Sequence, residues 1–348
     1  MNIAFIAYYF SETDGVGSLR SRCLAKLLEQ RDNHLYYFTK DSFVPLAARF
    51  GFIWNLILFY HLLKLNAGKV YVSCGPFLHL PFILLACQLS RKQFICDFRD
   101  PLSFNIRRGY GNPNSKINSV KLLIAEWLEK LTYKLCYRFW VCTPGMYQLY
   151  ANLFKDNTKL DMITNGYDFD PKIIEKFTIS NNSPAELKKL HLVCLGRFAE
   201  ENPTTARKAL TQLKEFYLKN GLNSLVIDFI GTPVSPTCEL LREAGLEKCS
   251  VFHPKMSYLE AVKIAAKADM GLCVVRDEEF ELGTKAFDYI GLGLPIYNCF
   301  QNDSNFSMFF SEFLSRDKHK ILNPDLIKKY SRSSCFKKNL IWLDEKAN

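Results

Sequence analysis

At 348 residues, 48% of them apolar, the chain exceeds what one hydrophobic core usually organises and has side chains enough for two. Its formal net charge of +10 is uneven, with 22 basic against 14 acidic residues up to Ser180 and 23 against 21 beyond it; no recognition motif accompanies the charge, which argues against nucleic acid. Twelve cysteines lie singly in apolar runs with neither a C-x-x-C pair nor a His/Cys ligand spacing, which excludes a disulfide framework and a zinc module and fits reduced thiols in the cytoplasm.

The opening MNIAFIAYYF has no basic leader before its apolar run and reads as a buried first strand, not a signal peptide. It enters the glycine-rich turn SETDGVGSLRS, after which LRSRCLAKLLEQ has helical periodicity. Residues 51–63, GFIWNLILFYHLL, form the longest uncharged apolar stretch; they fall short of the roughly 18 to 20 residues a spanning helix needs, so no transmembrane helix is expected. KVYVSCGP, QFICDFRDP, FWVCTP and LDMITNGYD read as strands or strand ends, with HLPFILLACQLS and AEWLEKLTYKLCYRF as helices among them. Composition turns polar at residues 170–189, a linker candidate. A second series follows: strands in LHLVCLGRF, SLVIDFIGTP, CSVFHP and MGLCVV, the helix YLEAVKIAAKAD, a short helix in TKAFDYIGLGLPI, the strand IYNCF and one or two closing helices. The expected class is α/β, two Rossmann-like doubly wound domains facing each other across a cleft, over residues 1–175 and 176–320, with closing helices over 321–348.

In open parallel sheets ligands bind outside the carboxyl ends of the strands, and the unusual residues stand there. Gly15 and Gly17 follow the first strand, where backbone amides can approach a ligand at a helix start; the plain alternative is a tight turn. Arg197 ends the first strand of the second series and offers a fork of donors to a diphosphate, or else makes a surface ion pair. In a helix beginning near Thr284, Lys285 and Asp288 share a face. Lys285 and the amides of Gly283 and Thr284 can hold phosphate charge and Asp288 can accept from ribose hydroxyls, unless the two side chains merely pair with each other. GLGLP then stops the helix.

At these residues the sequence resembles the GT-B glycosyltransferases of family 4. TKAFDYIGLGLPI is similar to their donor-site motif, FIAYYFSETDGVGSLRS to the first loop, CDFRDPLS to an Asp-Leu-Arg-Asp-Pro segment of one branch, ITNGYD to the end of the first domain and LGRFAEENP to the phosphate-binding start of the second. The resemblance spans nearly the whole chain. It implies a GT-B fold with an acceptor-side first domain and a nucleotide-sugar-binding second domain. It implies transfer of a sugar from a UDP- or GDP-sugar to a saccharide or lipid-linked saccharide, with retention of configuration and neither metal nor cofactor. Cations and helix amides would stabilise the leaving diphosphate. Carried over, Arg197, Lys285 and Asp100 are the catalytic residues. Gly15, Gly17, Asn202, Gly231, Phe252, His253, Gly283, Thr284 and Asp288 join Arg197 and Lys285 at the donor, and the VFHPKM segment, residues 251–256, would hold the nucleotide's base. Arg20, Asp97, Arg99 and Asp100 lie on the acceptor side.

Two departures stand out. The family often carries two glutamates eight positions apart, but eight before Asp288 is Phe280, leaving Glu279, Glu281 or neither to contact the sugar. Acids follow Gly-Arg where many relatives have a lysine. The remaining alternatives are a same-fold sugar-nucleotide epimerase and a non-catalytic partner of an active transferase; a nicotinamide oxidoreductase would need a third glycine where Leu19 and Arg20 stand. The basic first half and its aromatic stretch suggest a cytoplasmic protein peripheral on the inner face of the plasma membrane, with Phe52, Trp54 and Phe59 facing either bilayer or core.

Overall fold

The computed structural model describes residues 1–43, 51–108, 117–170, 189–219, 224–317, 320 and 322–343. The linker candidate at residues 170–189 lies outside the described residues except for its two ends. The chain divides into two compact units, Met1–Thr164 with Phe336–Asn348, and Asn165–Cys335.

In the first unit six parallel strands run in the order β2-β1-β3-β4-β5-β6. They are β1 (Asn2–Ile6), β2 (His34–Phe38), β3 (Lys69–Cys74), β4 (Gln93–Phe98), β5 (Arg138–Val141) and β6 (Leu160–Met162). β3 is buried at every residue and β4 at all but its first, as strands covered on both faces must be, which is why they read as unbroken apolar runs. Between them come α1 (Val16–Glu29), α2 (Gly51–Lys64), α3 (Leu80–Leu89), α4 (Leu102–Arg107), α5 (Ile117–Leu135) and α6 (Pro144–Phe154). α3 packs against both α2 and α5, the neighbours that right-handed crossovers through β2, β3, β4 and β5 place on one face of the sheet. The core under them holds Trp54, Leu58 and Leu62 of α2. Trp54 is therefore core, Phe59 packs against that core, and only Phe52 of the three aromatic residues is exposed.

The second unit has its own parallel sheet, ordered β12-β11-β10-β7-β8-β9. Its strands are β7 (Lys189–Leu195), β8 (Ser224–Ile230), β9 (Ser250–His253), β10 (Met270–Gly271), β11 (Ile296–Tyr297) and β12 (Leu314–Ser315). The helices are α7 (Pro203–Lys219), α8 (Val234–Ala244), α9 (Tyr258–Ala265), α10 (Thr284–Gly291), α11 (Asn305–Phe309), α12 (Pro324–Lys329) and α13 (Arg332–Lys337). α9 starts on a reciprocal capping box between Ser257 and Glu260, and α8 stops on Gly245 in the left-handed region.

The units are cut differently from the expected boundaries at 175 and 320. Tyr167 pairs in parallel with Ser331, so the chain from Asn165 onward is held by residues of the second unit. The closing segment is shared: Phe336 is fully buried beside Trp140 and beneath the Arg20 guanidinium, 4.9 Å from its ring, so the tail from there belongs to the first unit.

Candidate functional site

Each unit gathers its share of the sequence-predicted residues, and the two sets are described separately. In the second unit the carboxyl ends of β7 and β8 and the start of α10 come together. Gly283 is the N-cap of α10 with φ +64°, a backbone conformation glycine adopts without strain, and it leaves the first amides of the helix without a side-chain cap. Lys285, in the first turn, donates to the carbonyl of Arg197, whose own side chain is exposed at the end of β7. Thr232, next to Gly231, donates to the Gly196 carbonyl, and the Gly231 amide donates to the His253 carbonyl at 3.0 Å. Arg197, Lys285 and the α10 amides thus form one cationic, donor-rich rim, which suits phosphate oxygens.

Tyr289 fixes this rim from below. Its buried hydroxyl accepts from the Leu195 amide at 2.9 Å and donates to the Leu272 carbonyl at 3.1 Å, tying α10 to β7 and to the chain after β10.

Asp288 does not pair with Lys285. It is buried and accepts from the Tyr258 hydroxyl at 2.5 Å, with Arg332 and Asp168 nearby. Burial pushes its carboxyl up to about 7; the Tyr258 hydrogen bond and the Arg332 charge only partly offset that. Arg332 in turn lies 3.8 Å from Asp168. Neither Tyr258 nor Arg332 is marked by spacing in the sequence, because each approaches Asp288 from a different helix.

Several expected donor contacts have other work. Asn202 caps the start of α7 by accepting from the Thr205 amide at 3.1 Å and donates to the Arg276 carbonyl at 3.2 Å. Phe252 stacks on Phe229 at 5.0 Å. The His253 ring bonds to Asp228 at 2.9 Å, and the same carboxylate meets His191 at 2.6 Å. Burial alone would raise Asp228, but these two hydrogen bonds prevail and hold it low; burial would lower His191, and Asp228 prevails and raises it. Glu281 is held by Arg276 at 2.5 Å, whereas Glu279 is exposed.

In the first unit Gly15 is the N-cap of α1 at φ +66°, and both Gly15 and Gly17 are exposed. The Arg99 guanidinium donates to the Gly17 carbonyl, which brings the end of β4 and exposed Asp100 to the start of α1. Asp14, unremarked in the sequence, pins the loop: it accepts from the Phe10 and Ser11 amides at 2.9 Å each and from Lys40. Burial opposes, but those bonds keep its carboxyl below the ordinary value.

Arg20 and Asp97 are not on this exposed rim. Asp97 is fully buried and accepts from Arg20 Nε at 2.8 Å, Arg20 Nη2 at 2.9 Å and the Tyr71 hydroxyl at 2.7 Å, while Arg20 Nη1 donates to the Thr164 carbonyl at 3.0 Å. A bidentate pair with every partner inside the protein fixes α1 against β4; it offers an acceptor nothing directly. Among the described residues no group of three or more His, Cys, Asp or Glu is placed to hold a metal ion, and no helix is long and apolar enough to cross a membrane.

No protein-family model matches the sequence, and no curated protein matches it either. Solved structures do. The chain is similar to the lipopolysaccharide outer core galactosyltransferase WaaB in its apo form, at 13% identity and a TM-score of 0.59 over 99% of this chain and 100% of that one. It is similar to HepE from Anabaena in complex with UDP and glucose, at 14% identity and a TM-score of 0.56 over 98% and 95%. The third is WaaG, a glycosyltransferase involved in lipopolysaccharide biosynthesis, at 12% identity and a TM-score of 0.57 over 97% and 91%. Likeness at such identities defines the fold, and the chain has the GT-B fold of these glycosyltransferases.

Proposed function

We propose that the protein is a retaining glycosyltransferase that moves a sugar from a UDP- or GDP-sugar to a saccharide or lipid-linked saccharide in surface-polysaccharide synthesis, working in the cytoplasm at the inner face of the plasma membrane. The observation that carries it is the convergence of exposed Arg197, Lys285 and the uncapped start of α10 at one strand end of the second unit. In the reaction the bond from the sugar's anomeric carbon to the diphosphate breaks, the acceptor oxygen bonds to that carbon from the same face, and the acceptor proton leaves with the diphosphate. Most of the barrier is charge accumulating on the leaving group, so fixed cations and amides suffice without a metal. HepE was crystallised with UDP and glucose, which supports a UDP-sugar as the first donor to try.

The test incubates the purified protein with a panel of UDP- and GDP-sugars and saccharide acceptors, with chelator present, and follows products by mass spectrometry and the anomeric configuration by NMR. Transfer with retention is expected, and Arg197→Ala and Lys285→Ala should each lower turnover by roughly a hundredfold. An absolute need for Mn²⁺ or Mg²⁺ overturns the metal-free mechanism. Epimerised donor, or no turnover of any donor by folded protein, overturns transfer and leaves an epimerase or a non-catalytic partner.

A further inference from the structure

Twelve of the 21 exposed large apolar side chains among the described residues lie on α2, α3, the turn before α3, and α5. They form stripes. On α2, Phe52, Leu56, Tyr60 and Leu63 recur at the spacing of one helical face, opposite buried Trp54, Leu58 and Leu62. Leu85 and Leu89 continue the pattern on α3, and the Phe52 and Phe82 rings meet edge to face at 5.7 Å, joining the two stripes. On α5, the other neighbour of α3, Val120, Leu123, Ile124 and Trp127 are all more than half exposed. So much exposed apolar surface on adjacent helices marks an interaction face.

The charge around the stripes has one sign. From Ser42 to Cys96 the sequence has no Asp or Glu, and from Pro101 to Ala125 again none, while Lys64, Arg91, Arg107, Arg108 and Lys121 are exposed there. Of the first two carboxylates of α5, Glu126 neutralises Arg107 at 2.5 Å, leaving Lys64, Arg91, Arg108 and Lys121 to set the sign, and Glu129 is buried, accepting from the Ser103 amide and the Tyr150 hydroxyl. Three apolar stripes rimmed by cations match an anionic bilayer, whose interface takes up Leu, Phe and Trp while lipid phosphates meet Lys and Arg.

We infer that the exposed face of α2, α3 and α5 docks on the surface of an anionic membrane, inserting its apolar stripes into the lipid interface. Docking uses none of the residues of the donor rim, so it stands or falls apart from sugar transfer. A second copy of the chain is the rival occupant.

Trp127 makes the test direct. Of the four tryptophans it is the exposed one, at 61%, while Trp54 and Trp140 are fully buried and Trp342 nearly so. Full-length protein is mixed with phosphatidylglycerol/phosphatidylcholine vesicles and with phosphatidylcholine vesicles, and sedimentation and tryptophan emission are read with and without salt. Co-sedimentation with the anionic vesicles and a blue shift that W127F abolishes are expected. Salt should weaken the binding without eliminating it, and L123S/I124S, which removes only exposed side chains, should lower the affinity roughly tenfold or more with UDP binding unchanged. Absence of co-sedimentation at low salt overturns the inference, as does binding without an emission shift, which would be surface electrostatics alone. A vesicle-indifferent dimer that L123S/I124S dissociates assigns the face to a second copy and overturns it equally.

Discussion

Asp288, proposed to hold the donor's ribose, works against the fold that holds it. Its carboxyl is raised from 3.8 to about 7 by burial, so the folded state takes up a proton that the unfolded chain gives up across that range. Stability therefore falls as pH rises from about 4 to about 7 and stays reduced above it. The ionised form accepts from ribose hydroxyls more strongly and through both oxygens, so nucleotide affinity should run the other way, weakening as pH drops below about 7. Asp288→Asn separates the two effects. At about pH 8 the variant should melt higher than the parent and bind nucleotide more weakly, with the pH dependence of binding flattened, as measured by calorimetry and titration. Equal nucleotide affinity in parent and variant across pH would remove Asp288 from the donor site. The Lys285–Asp288 spacing was legible as one helix face, but the choice of partners was not: Tyr258 and Arg332 reach Asp288 through tertiary packing that no local pattern records. Arg20 and Asp97 carry the same lesson. Polar residues near a strand end resemble a site until alternation along β4 turns Asp97 inward to Arg20 and Tyr71 and leaves Arg99 and Asp100 beyond the strand's end.

At the level of elements, strand–loop–helix joints place the chemistry, and the strictest joint is the start of α10. A Cβ at Gly283 would stand 3.0 Å from Val275 Cγ1 on a backbone with φ +64°, so both space and conformation select glycine. Gly283→Ala should cost about 1–3 kcal/mol of stability and tilt the first amides and Lys285 away from the rim. Melting temperature and nucleotide affinity should fall together; a drop in the first with nucleotide affinity intact would mean α10 does not carry the phosphates. Strands buried on both faces, such as β3 and β4, announced themselves as apolar runs. β2, HLYYF, is an edge strand with only Leu35 and Phe38 buried and no Val or Ile run, and escapes that pattern. The apolar stretch in α2 was legible as too short to span a membrane, yet which of its aromatics face outward depends on what the helix packs against.

The chain as a whole builds its first unit from both ends. Unit composition was legible as two successive strand-and-helix series, but the return of the tail was not, because its partners lie far away in sequence. Lys69, buried at the start of β3, donates to the carbonyl of Trp342, 273 residues on, and stands 5.1 Å from that indole ring. Phe336 fills the space between Trp140 and the guanidinium of Arg20, the same arginine that holds Asp97. Removing the tail therefore uncovers a lysine and an ion pair that the first unit otherwise keeps from water. Phe336→Ala, which leaves the chain intact, should cost the first unit about 3–5 kcal/mol, the range for emptying a buried phenylalanine site. Ending the chain before Phe336 should cost more. Because each unit has its own core, calorimetry should resolve the loss as a lowered or missing transition for the first unit, with the transition of the second kept. A Phe336→Ala protein that melts like its parent would show that the tail rests on the first unit without supporting it.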